Sequence, residues 1–142
     1  MNHLRYFSLA TTMGVALLSL FLLFVPNKAQ AGGVVGNGTP ASCTDAALSA
    51  AIATGGLVTF NCGANPHTII VNTFVVDKDT TVDGGGLISL DGEALRQIFY
   101  VQNGASLTVK NLTMKNASAV NGGAIYNLGT VTLQNSTIQS SG

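Results

Sequence analysis

Charge is what this 142-residue sequence has least of: Asp, Glu, Lys and Arg together make up 8 % of it. No basic run or patch occurs, so the electrostatic footprint of a nucleic-acid-binding protein is missing. Long stretches with a 3.6-residue apolar period are also missing, which excludes helical-hairpin repeats. Cysteine is limited to Cys43 and Cys62, and after residue 31 the only histidine is His67. Two Cys and one His make a poor structural zinc site, because such a site wants four ligands. No G-x-S-x-G elbow is present for an esterase. The Gly84-Gly85-Gly86 run is not followed by Lys-Ser/Thr, so it is no phosphate loop. No cofactor and no metal are expected.

What is present begins with a leader. MNHLR carries one Arg and no acid, Tyr6 to Val25 is uncharged, and Ala29-Gln30-Ala31 fits the small-x-small rule. This predicts a signal peptide over residues 1–31, cut between Ala31 and Gly32. The 20 residues from Tyr6 to Val25 would also suffice for an uncleaved anchor, though their densest apolar part is only Met13 to Val25. The remaining chain has four basic and six acidic residues, a net charge of −2. An even cysteine count in an exported chain predicts a Cys43–Cys62 disulfide. Closing a loop of about 20 residues is worth roughly 3 kcal/mol in the chain-entropy model.

Residues 32–41 are Gly-rich and aperiodic, and read as a flexible leader. Ser42 or Thr44 can cap a helix, Asp45 suits its first turn and Gly55-Gly56 ends it, which predicts a helix over about Thr44 to Ala53. After Gly56, runs rich in Val, Ile, Thr and Phe alternate with Gly and Asn, a strand signature.

A repeat runs through these strands. Ser106–Met114 lies over Thr130–Ile138 with an offset of 24: Leu107 on Val131, Val109 on Leu133, Asn111 on Asn135 and Met114 on Ile138. Val82 precedes Val109 by 27, and Ile98–Ser106 echoes Ala124–Thr130. The period suits one rung of an all-β, right-handed parallel β-helix, a solenoid with a short N-terminal capping helix. Inward positions are Val76, Val82, Ile88, Leu90, Phe99, Val101, Leu107, Val109, Leu112, Met114, Ile125, Val131, Leu133 and Ile138. Thr108, Lys110, Thr113, Thr132, Gln134 and Thr137 point outward. Asn111 and Asn135 fall at one corner, where Asn tolerates left-handed backbone and can stack.

The runs CTDAALSAAIATGGLVTFNC, DTTVDGGG, VQNGASLTVKNLTMKN and GGAIYNLGTVTLQNSTI resemble the N-terminal part of exported right-handed β-helix proteins of pectate-lyase-like fold. These are related to polymorphic outer membrane protein and adhesin repeats, whose GGAI tetrapeptide Gly122–Ile125 matches. The resemblance implies a non-enzymatic, secreted or cell-surface protein of adhesin or passenger type. Its partners would be glycans or a host surface, its contact with membrane made only through export or a C-terminal anchor. Family members are longer, so residues 42–142 read as a cap and first rungs, truncated at Gly142. The open end of such a stack predicts weak stability or self-association.

The other implied class is a fragment of a polysaccharide lyase or glycosidase. Hydrolysis needs paired carboxylates, and a lyase needs a base, usually beside Ca²⁺. Asp83, Asp91 and Glu93 are the candidates, but Asp83 and Asp91 each precede Gly and read as turn residues. Arg96 reads as either paired with Glu93 at i,i+3 or solvated, and His67 reads as a solvent-facing loop residue. N-x-S/T occurs at Asn37, Asn111, Asn116 and Asn135, glycan acceptors only in a eukaryotic secretory route.

Overall fold

The computed structural model describes residues 32–139 and 141–142. The expected signal peptide, with Ala31 of its cleavage site, lies outside the described residues. Among the described residues no helix is long and apolar enough to cross a membrane.

Along the chain run β1 (Val34–Val35), a 3-10 turn (Pro40–Ser42), α1 (Asp45–Thr54), β2 (Gly56–Phe60), β3 (His67–Ile70), β4 (Phe74–Val76) and β5 (Thr80–Asp91). They are followed by β6 (Phe99–Val101), β7 (Ser106–Lys115), β8 (Ile125–Asn127), β9 (Thr130–Gln134) and β10 (Thr137–Gln139). The strands form a seven-stranded sheet of order β1-β2-β5-β7-β10, with β3 also on β5 and β9 also on β7. A three-stranded sheet has the order β4-β6-β8. All pairs are parallel.

This corrects the expectation of an all-β, right-handed parallel β-helix: the described chain is a mixed α/β arrangement of two parallel sheets and one helix. The helix itself was expected: the run after Asp45 has no β-branched residue before Ile52, so it favours helix, and its Leu48, Ala51 and Ile52 are core. The difference lies in the strands. β5 and β7 keep pairing with neighbours on both sides of a bend, so strand sets that read as separate merge into one branched sheet.

Helix α1 starts one residue after the expected position. The Thr44 hydroxyl accepts from the Ala47 N–H at 3.2 Å, satisfying one of the orphan donors of the first turn. Gly55 ends the helix at φ +72°, where a Cβ is disfavoured. Residues 32–41 are not a uniform flexible leader. Val34 and Val35 pair in parallel with Thr59 and Phe60, and burial of Val35 supplies the stabilisation that the glycines around it cannot. The Cys43–Cys62 disulfide is formed, with a Cα–Cα distance of 5.7 Å, and fastens the helix start to the end of β2.

The 24-residue offset is met in the pairing register. Leu107 faces Val131 and Val109 faces Leu133, Met114 faces Ile138, and Val82 faces Val109. Expected inward residues from Val76 to Met114 are buried, and Phe74 packs on Phe99 with ring centroids 5.8 Å apart. Leu133 and Ile138 have the right register but are exposed, because among the described residues no strand pairs beyond β9 and β10. Ile125 and Val131 are partly buried against the core.

Candidate functional site

The bend in β5 and β7 is built by backbone that only a few residues accept. Asn111 and Asn135 have φ +48°, and Gly85 has φ +60°. Asn reaches this left-handed region at lower cost than other residues with a side chain. A Cβ on Gly84 would come within 2.7 Å of the Asn111 carbonyl oxygen, so that strand crossing is glycine-only. Asn116 adopts the same conformation, φ +49°, at a second turn. Its position 24 or 25 residues from the neighbouring turns was the unused signal for it.

The acids serve these turns. Asp83 Oδ1 accepts from the Gly85 N–H at 3.0 Å and from Asn111 Nδ2 at 3.0 Å. The Asn111 bond first, then that of Gly85, holds the Asp83 carboxyl below its ordinary value; slight burial opposes this and the nearby Lys110 charge adds to it. Asp91 Oδ1 accepts from the Glu93 N–H at 2.9 Å, and Asn116 Nδ2 lies 3.1 and 3.2 Å from the two Asp91 oxygens. The turn reading of both Asp-Gly pairs therefore holds. The expected stacking at the corner runs from Asn to Asp rather than from Asn to Asn. Arg96 and Glu93 form an i,i+3 ion pair at 2.9 Å, exposed and of small energetic worth. His67 is not a loop residue. It opens β3, pairs with Ile88 and is half-buried.

Asp83 also borders a cleft of about 290 Å³. Phe60, Leu87 and Ile88 give it an apolar lining, and Thr59 and Asp83 add a hydroxyl and a carboxylate. Asp83 is the one carboxylate in this lining. Acid–base hydrolysis of a glycosidic bond needs two, one of them protonated, whereas Asp83 is held ionised. The cleft can accept hydrogen bonds from hydroxyl groups and cover an apolar ring face; it has no general acid.

Polar side chains lie in register rows on the seven-stranded sheet, one of which starts from Asp83 at the cleft. Thr81, Thr108 and Thr132 form one. Asp83, Lys110 and Gln134 form the next. Across the bend, Thr68, Ser89, Thr113 and Thr137 form a third. Neighbours in a row repeat at the strand spacing of about 4.8 Å. The six expected outward residues, Thr108 to Thr137, all lie in these rows and are half-buried or exposed.

Sequence reasoning missed one feature of the second sheet. Tyr100 and Tyr126 stack across β6 and β8, with centroids 5.3 Å apart and planes 24° from parallel. The echo between Ile98–Ser106 and Ala124–Thr130 already aligned them.

Among the described residues no three His, Cys, Asp or Glu side chains come together as a metal site. The chain matches no family model, no curated protein and no solved structure.

Proposed function

We propose that this protein is an exported, non-enzymatic binding module of adhesin-like kind, acting at a cell surface or after secretion, whose ligand is a glycan. The observation that carries the reading is the Asp83 cleft, at which one of the sheet's register-matched polar rows starts. Carbohydrate sites pair an apolar surface for the ring face with a few fixed polar groups for the hydroxyls. Phe60, Leu87 and Ile88 supply the first, and Asp83 and Thr59 the second. Because Asn111 and Gly85 fix the carboxylate, little side-chain entropy is lost when it accepts a ligand hydroxyl. The Cys43–Cys62 disulfide supports an oxidising location.

A panel of neutral and acidic polysaccharides, screened against the purified chain by surface binding, tests the reading. At least one should bind, and Leu87→Ala and Asp83→Asn should each weaken it about tenfold, roughly 1.4 kcal/mol. No binding across the panel, or binding indifferent to both substitutions, would sink it.

A further inference from the structure

We propose that the Asp83 cleft selects its sugar by charge: it takes neutral and amino sugars and turns away uronic and sulfated ones. This selectivity rests on the glycan reading above and narrows it to ligands that arrive as hydrogen-bond donors.

The two carboxylate oxygens of Asp83 differ. Both protein hydrogen bonds, from the Gly85 N–H and from Asn111 Nδ2, end on Oδ1. Oδ2 has no hydrogen-bond partner among the described residues. None of their side-chain polar atoms is buried without a partner, so Oδ2 is open to solvent. The turn therefore fixes one oxygen and leaves the other for a ligand. An ionised carboxylate only accepts, and the two bonds on Oδ1 favour the ionised form.

The rest of the lining holds no Lys, Arg or His. A sugar carboxylate or sulfate is held by charge-assisted hydrogen bonds from such cations; here it would meet a group of its own sign. Lys110 does not fill the gap. It is the register partner of Asp83 on β7, whereas Thr59 and Phe60 come from β2, on the other side of β5. No ion pair joins Lys110 to Asp83 among the described residues.

The remaining groups do not discriminate. The Thr59 hydroxyl can donate or accept, and Phe60, Leu87 and Ile88 cover the ring face of any of these sugars alike. Choice by charge is left to Oδ2. A protonated amine gives it a charge-assisted bond, a hydroxyl an ordinary one, and a carboxylate only repulsion.

The test is a titration of the purified chain at neutral pH with matched oligosaccharides of gluco, galacto and manno configuration. Each is used in its neutral, amino and uronate form. A chelator keeps divalent cations from bridging two carboxylates. In at least one configuration the neutral form should bind, the amino form at least as tightly, and the uronate about tenfold more weakly than the neutral form. Asp83→Asn should bring the neutral and uronate forms to near parity, with circular dichroism showing that the variant is folded. The native chain gives a second readout: added salt should weaken the amino form, relieve the uronate penalty and leave the neutral form unchanged. Binding of none of these sugars would overturn the glycan reading and the selectivity together. A uronate that binds as well as its neutral form would overturn the selectivity alone. So would a preference that survives Asp83→Asn or that salt leaves untouched.

Discussion

The two ends of the seven-stranded sheet are made from the same strand chemistry and reach opposite outcomes. One core row runs Val58, Val82, Val109, Leu133, and another Ile69, Leu90, Met114, Ile138. In each the first three residues are 3 % exposed or less, and the fourth is exposed at more than 40 %. Hydrophobicity does not separate them; what lies on the next layer does. Next to Val58, at the β2 end, a short strand, a helix and a disulfide supply that layer. At the β9 and β10 end the described residues supply none. Burial of an apolar side chain is a property of its neighbours as much as of its own type.

The largest test of this contrast compares Leu90→Ala with Ile138→Ala, two residues of one row. Leu90 is fully enclosed, so its truncation should cost about 3 kcal/mol, within the range for buried Leu. Ile138 already meets solvent, and the same truncation should cost about 1 kcal/mol or less. Urea unfolding measured in dilute solution checks both. Equal losses would mean that the β10 end is covered in solution. Next in size is the disulfide. Replacing Cys43 and Cys62 by Ala should lower stability by about 3 kcal/mol and loosen β1 and α1 first, seen as faster amide exchange at Val35 than at Val109. A weaker test of the same end is Thr44→Ala, which removes the bond to the Ala47 N–H and should cost about 1 kcal/mol.

These contrasts also mark how far the sequence could be read. The offset of 24 between Leu107 and Val131 is a statement about register, and register is set by side-chain alternation, which the sequence carries locally. The same holds for the capped helix and the left-handed Asn111 and Asn135. Sheet membership was not legible in this way. Whether β5 and β7 end at the bend or pair through it depends on partners in neighbouring strands, so the solenoid expectation gave way to two parallel sheets beside the expected helix. Val35 was missed because a two-residue strand among glycines has no period to detect. The cleft was missed because it joins Phe60 to Asp83 and Ile88 across a strand pair. Asp83 itself was legible, as a turn residue.

The corner residues sharpen the comparison further. Asn111 and Asn135 have the same φ, and Ala at either should cost about 1 kcal/mol in backbone strain. Asn111 also donates to Asp83, whereas no side-chain bond is found for Asn135 among the described residues. Asn111→Ala should therefore destabilise more than Asn135→Ala, and Asn111→Gly should recover the strain but not the hydrogen bond.

The smallest expected effect is a pH dependence confined to that same bond. The carboxyl of Asp83 sits below its ordinary 3.8 in the folded chain, chiefly through Asn111. A group whose folded pKa is depressed binds its proton more readily when unfolded. Its contribution to stability is present above the unfolded value and is lost as pH falls through the folded one. The stability difference between the native chain and Asp83→Asn should stay level from neutral pH down to about 4 and shrink below it. Thermal unfolding of both proteins across that range checks this. In an Asn111→Ala background the acid-range change should be much reduced, since the first cause of the shift is gone. Raising the salt concentration should leave most of it in place, because Lys110 acts through solvent and contributes least.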